Sequence, residues 1–199
     1  METLSTWIFT VIMALANPEK VAKYSNESAE EMTARYHSIA EDMTYVIENS
    51  EPVFKSDNHK FKTAAVLSAL ALYESGFRKS VDNGEVRGDD GRSWCLMQIN
   101  IGKGNVPVGT DEMKKWKGKD LVEDRKKCFK VGLEMVRRSI NSCAVNPLSV
   151  YGSGECIKKE PKSRKRWDAA MRILERHPIK KSQETKETKE TKEEPKKSK

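Results

Sequence analysis

Apolar side chains recur at helical spacing through residues 28–48. Met32, Tyr36, Ile39, Met43, Val46 and Ile47 share one face, while Glu30, Glu31, Glu41 and Asp42 fall on others. Ser50-Glu51-Pro52 ends this helix, and a loop containing Asp57-Asn58 leads into a second one from Lys62 to Glu74. Its run from Thr63 to Leu72 is apolar nearly all round, which predicts burial on most sides, and Gly76 suits its terminator. From Val81 to Gly109 the texture changes. Six glycines punctuate it (Gly84, Gly88, Gly91, Gly102, Gly104, Gly109), around a short apolar patch from Trp94 to Ile99, which predicts loop with a small hairpin. Asp120 is placed to cap a third helix reaching about Asn141, with Leu121, Phe129, Leu133, Val136 and Ile140 as its apolar positions. Residues 147–154 read as a turn-rich connection. A last amphipathic helix follows over 164–176 through Trp167, Ala170, Met171 and Leu174, and Pro178 breaks it.

The two ends differ from this body. Leu4 to Ala16 is apolar and closes on Ala14-Leu15-Ala16, as a cleaved leader would, yet Glu2 precedes it and no Lys or Arg does. A signal-like start over 1–16 and a packed helix are both open readings, and the run is too short to expect a transmembrane span. From Ser182 onward no apolar side chain occurs in a Lys/Glu/Thr run, so the tail is expected to be disordered. The chain thus divides into an N-terminal helical segment (1–50), a main domain (51–177) and a charged tail (178–199). At 199 residues it has room for one well-buried core.

Charge and cysteine narrow the chemistry. The net charge is +7, of which residues 180–199 supply +3 through eight Lys and five Glu. A basic body suits polyanionic partners, including anionic wall polymers. No recognition helix or RNA-binding signature accompanies it, so nucleic acid is not the expected partner. Cys95, Cys128, Cys143 and Cys156 form no CxxC pair and lie far from His37, His59 and His177, so no metal site is expected. An even count in one region suggests two disulfides and an extracytoplasmic setting, whether periplasmic, secreted or virion-associated.

Glu74 is the leading candidate for chemistry. It ends the most hydrophobic helix, directly before a Ser-Gly turn, where burial and the negative helix end both favour the protonated carboxyl that a general acid requires. The motifs around it carry a resemblance. Glu74-Ser75-Gly76-Phe77 resembles the E-S-x-F motif of soluble lytic transglycosylases and goose-type lysozymes. Leu96-Met97-Gln98-Ile99 is similar to their G-L-M-Q-[IV] motif, and Val150-Tyr151-Gly152-Ser153-Gly154 to their [AV]-Y-N-x-G turn. The three stand in family order over roughly residues 60–175. The stretch from Gly88 to Gln98 resembles the goose type at equal length.

The resemblance implies a mainly α, lysozyme-like α+β fold: a helical domain with a small Gly-rich loop and hairpin lobe. It implies cleavage of peptidoglycan glycan strands at the β-1,4 bond, by a muramidase or lytic transglycosylase that needs no cofactor. Asp89 matches the family aspartate that positions water. The second such aspartate falls on Asn100, and Cys95 replaces the glycine before Leu-Met-Gln. Glu74 and Asp89 are then the expected catalytic pair, with Ser75, Gln98, Asn100 and Tyr151 as substrate contacts. Without Asp89, Glu74 alone could act as acid and then base, with a sugar hydroxyl attacking. The loss of a carboxylate at Asn100 leaves a second reading open, a catalytically weak glycan-binding or structural protein.

Four cysteines allow three pairings. Cys128 and Cys143 lie near opposite ends of one predicted helix, about 22 Å apart at 1.5 Å per residue, beyond disulfide reach. Of the two pairings left, Cys95–Cys128 with Cys143–Cys156 is preferred, because it closes the short turn carrying Tyr151 and ties the Leu-Met-Gln loop to the helix start.

Overall fold

The structure is a computed structural model describing residues 2–102 and 104–179. It is mainly helical, as expected, with one two-stranded antiparallel sheet. In chain order the helices are α1 (Leu4–Leu15), α2 (Pro18–Val21), α3 (Ala29–Glu48), α4 (His59–Ser75), α5 (Lys79–Asp82), α6 (Gly118–Glu123), α7 (Arg125–Ser142), α8 (Ser149–Ser153) and α9 (Pro161–Arg176). Strands β1 (Ser93–Trp94) and β2 (Ile99–Asn100) lie between α5 and α6 in the Gly-rich lobe. The charged tail predicted from residue 178 lies almost wholly outside the described residues.

The all-round apolar α4 is buried, touching α1, α3, α7 and α9. Gly76 ends it in the left-handed conformation at φ 60°, as its position suggested. Helix α3 starts on a reciprocal cap, in which the Ser28 hydroxyl accepts from the Glu31 amide while the Glu31 carboxylate accepts from the Ser28 amide. Residues 4–15 form a packed helix that buries Trp7, Ile8, Val11 and Ile12 in the core that also holds α3 and α4. The Trp7 indole donates to the His177 carbonyl at 2.9 Å, so the chain's first helix is tied to the end of its last. Among the described residues no helix is long and apolar enough to cross a membrane.

Three boundaries differ from the sequence reading. The predicted helix beginning at Asp120 is two helices. Asp120 caps the first, accepting from the Lys117 amide, while Asp124 turns extended and caps α7 by accepting from the Lys126 amide. The connection over 147–154 contains the helix α8, and α9 starts at Pro161, where the Glu160 carboxylate accepts from the amides of Lys162 and Ser163. Gly118 explains how α6 reaches the lobe: a Cβ there would fall 2.2 Å from the Trp94 ring.

The disulfides are Cys95–Cys128 and Cys143–Cys156, with Cα–Cα distances of 6.2 and 5.2 Å. The first joins the lobe to the opening turn of α7. The second joins the end of α7 to the chain entering α9.

Candidate active site

The end of α4 is built to aim one carboxylate. The Ser75 hydroxyl donates to the Ala71 carbonyl at 2.7 Å and accepts from the Phe77 amide at 3.2 Å. Arg78 donates to the Ser75 carbonyl at 2.9 Å. Phe77 takes a left-handed φ of 54°, and its buried ring packs edge-on against Tyr36. This turn leaves Glu74 facing a cleft of about 720 Å³ that is also lined by Asp89, Gln98, Asn100 and Tyr151. Ser75 is a correction. Its side chain is buried in the turn and does not line the cleft, because both hydrogen-bonding functions of its hydroxyl serve the helix end.

The lobe holds the second carboxylate. Ser93 and Asn100 are cross-strand partners in the β1–β2 pairing, and both donate to Asp89 Oδ2, at 2.5 and 3.2 Å. The Ser93 hydroxyl first, and the Asn100 amide second, hold the Asp89 carboxyl below its usual range. Both bonds land on one oxygen, so Oδ1 is the oxygen turned to other uses. Asn100 lines the cleft, yet its side chain is spent on Asp89 and on the Gly102 amide. Gln98 is likewise engaged at both ends, accepting from the Gly88 amide and donating to the Cys95 carbonyl.

Backbone strain gathers in the same place. Asp89, Asp90, Cys95 and Gln98 all have φ between 46° and 58°. Such conformations cost non-glycine residues on the order of 1–3 kcal/mol each and persist where surroundings enforce them. Cys95 is also the lobe's disulfide partner of Cys128. The glycine that this cysteine replaces in the resembled motif would adopt the conformation freely.

Tyr151 closes the floor. Its hydroxyl donates to the Met97 carbonyl at 2.7 Å, and its amide donates to the Ser139 hydroxyl at 3.1 Å. Burial first, and the nearby Glu74 second, push its phenol well above the ordinary value. The phenol is therefore a neutral donor committed to the backbone, and the residue offers the cleft its ring.

Sequence reasoning did not single out Arg166. Its Nη2 lies 2.6 Å from Glu74 Oε1, with the two side chains 14% and 17% exposed. Lys162 from α9 and Arg138 from α7 line the same cleft. Glu74 nevertheless has its carboxyl raised above the ordinary value. Burial is the largest cause, Arg166 and Lys162 oppose it, and the negative charge of Asp89 adds to it. A signal for Arg166 was present in the spacing. It sits in the stripe Ser163, Arg166, Ala170, Ile173, whose other members are buried, and an arginine on such a face needs an acid.

The cleft thus brings together two carboxylates of opposite character, one half-buried with its proton affinity raised, the other exposed with its own lowered. Among the described residues, no group of three or more His, Cys, Asp or Glu side chains could hold a metal ion. No protein-family model, no curated protein and no solved structure matches the chain.

Proposed function

We propose that the protein cleaves the glycan strands of peptidoglycan, with Glu74 as general acid and Asp89 as the carboxylate that positions and activates water. The observation carrying this reading is the opposite tuning of two carboxyls across one cleft. Burial favours the protonated Glu74, and two donated hydrogen bonds favour the ionised Asp89. Acid and base roles divide in this way where environments push two carboxyls apart. Glu74 gives its proton to the glycosidic oxygen as the bond to the anomeric carbon breaks. A water held at Asp89 Oδ1 adds to that carbon and passes its proton to the carboxylate. The products are a new reducing end and a free hydroxyl.

The resemblance of the three motifs supports the same reading, as does the size and concavity of the cleft. Two disulfides suit an oxidising, extracytoplasmic setting, where such a substrate lies. One observation favours the second reading, a glycan binder with weak catalysis: Arg166 at 2.6 Å favours an ionised Glu74. Mass spectrometry of fragments released from purified peptidoglycan separates the two. Cleavage with reducing ends, lost in Glu74→Gln, is the expected result. Release by the variant at the wild-type rate would sink the enzymatic reading, and anhydro ends would remove Asp89 from the mechanism.

A further inference from the structure

Arg166 is the part of the cleft that the proposed mechanism leaves unexplained. An arginine at 2.6 Å from an acid catalyst opposes the protonation that the catalyst needs. Its position is nonetheless built in. Gly152 stands where the resembled motif has asparagine, and a Cβ there would fall 3.0 Å from Arg166 Nη1 and 3.2 Å from Ser163 Oγ. Gly152 of α8 thus lies close against this guanidinium of α9. Arg166 Nη2 lies 2.6 Å from Glu74 Oε1 without a forked hydrogen bond, whereas a guanidinium offers five N–H groups and binds carboxylates best through two at once. Lys162, one turn earlier on α9, and Arg138 of α7 face the same space. Glu160, which also lines the cleft, is committed to capping α9.

We propose that Arg166 is a displaceable latch, which opposes the protonation of Glu74 in the empty cleft and leaves it for a carboxylate carried by the bound glycan. The inference rests on the reading of Glu74 as the acid. Seating an anionic strand draws Arg166 into a two-pronged pair with the strand, flanked by Lys162 and Arg138. Glu74 then faces only its buried walls, the neutral phenol of Tyr151 and the negative Asp89. It takes a proton from solvent water and hands it to the leaving oxygen. A neutral glycan of the same length fits the cleft but does not move Arg166, which goes on opposing the protonation of the acid. Arg166 is thus a positioning residue that acts through Glu74, and the substrate class is a glycan bearing carboxylates.

Two measurements on the full chain test this. The first follows the Glu74 side-chain carboxyl by carbon-13 NMR through a pH titration, in wild type, Arg166→Gln and Arg166→Lys. The latch requires the midpoint to move up in Arg166→Gln and to stay near wild type in Arg166→Lys. The second compares kcat/KM, and the alkaline limb of kcat, for two β-1,4 tetrasaccharides. One is the alternating N-acetylglucosamine and N-acetylmuramic acid oligomer, whose lactyl groups are carboxylates, and the other is neutral chitotetraose. Wild type should prefer the anionic one by about tenfold or more, a preference that Arg166→Gln loses. A Glu74 midpoint indifferent to Arg166→Gln, or an unchanged preference, overturns the latch while leaving Glu74 as acid. Failure of wild type to cleave either oligomer or peptidoglycan overturns the function itself, and the exchange with it.

Discussion

Arg125 and Arg166 both leave a helix to meet carboxylates in half-buried surroundings, and they meet them differently. Arg125 donates through Nε and Nη2 to both oxygens of Asp82, at 3.0 and 2.9 Å, and through Nη1 to Asp42 at 2.6 Å and to Ser38 at 3.1 Å. Beside it, Arg35 grips Glu27 with two hydrogen bonds of 2.8 and 2.7 Å. These groups join α3, α5 and α7, and Asp82 and Glu27 among them are each held by a fork. Arg166 Nη2 lies 2.6 Å from Glu74 Oε1 in a cleft open to solvent, with no forked hydrogen bond between the two among the described residues. The forked network fixes three helices, while the unforked contact leaves a carboxyl able to change its protonation. Geometry, more than the presence of an ion pair, distinguishes a structural pair from a working one.

The largest effect is expected at the working site. Glu74→Gln keeps the shape of the side chain and removes its proton, so glycan cleavage should fall by at least about a hundredfold. Assays on purified peptidoglycan at several pH values measure it, and a fall of less than tenfold would remove Glu74 from the chemistry. The structural network should answer in stability instead. Arg125→Met leaves Asp82 without its fork and Asp42 without its Arg125 hydrogen bond, and should cost about 3 kcal/mol in urea unfolding. Arg166→Gln should cost under about 1 kcal/mol, because an unpaired Glu74 can take up a proton. Equal losses in the two variants would erase the distinction drawn between the sites.

Much of the scaffold was legible because local chemistry and packing agree there. The apolar α4 and its Gly76 end follow from spacing, which also excludes a Cys128–Cys143 bond; the choice between the two pairings left rests on which loops a bond would tie down. Glu74, Asp89, Gln98, Asn100 and Tyr151 do line one cleft. What the sequence hid are roles decided across long separations. Asp120 and Asp124 are both credible caps, and nothing local shows that α7 starts at Arg125, which reaches Asp82 and Asp42 on other helices. Nothing near Trp7 points to His177, 170 residues away. Asn100 looked like a missing acid, yet its amide holds the acid that remains. Ser75 looked like a contact because the motif contains it, whereas its hydroxyl closes the turn that aims its neighbour.

Asp89→Asn should slow hydrolysis about tenfold or more, and its effect on the pH profile sharpens the contrast further. In wild type, the proposed activity should fall on the acid side as Asp89 gains its proton, below its ordinary value of 3.8, and on the alkaline side as Glu74 loses its own, above 4.5. Removing Asp89 should abolish the acid limb. It should also move the alkaline limb down, since the negative charge of Asp89 is one of the causes that raise Glu74. An alkaline limb unmoved by this change would mean that the two carboxyls do not sense each other.

The smallest expected effect concerns stability alone and isolates Glu74 from its partner. The folded protein holds the Glu74 proton more tightly than the unfolded chain, because burial, the largest cause, outweighs Arg166. The group's contribution to stability is therefore fully present below the unfolded value near 4.5 and is lost as pH rises through the folded value. Glutamine does not titrate, and the arginine left behind in Glu74→Gln stays charged throughout, so whatever that unpaired charge costs is constant across the range. The difference in Tm between Glu74→Gln and wild type should then shift in the variant's favour as pH rises from 4 to 7. Asp89→Asn should shift the other way over a lower range, since a depressed carboxyl contributes stability above its unfolded value and loses it in acid. Thermal melts of the three proteins across pH measure both slopes. A Glu74→Gln variant that loses ground to wild type as pH rises would show that Arg166 dominates the site. Glu74 would then be held as firmly as the carboxylates around Arg125, and the two regions would no longer differ in kind.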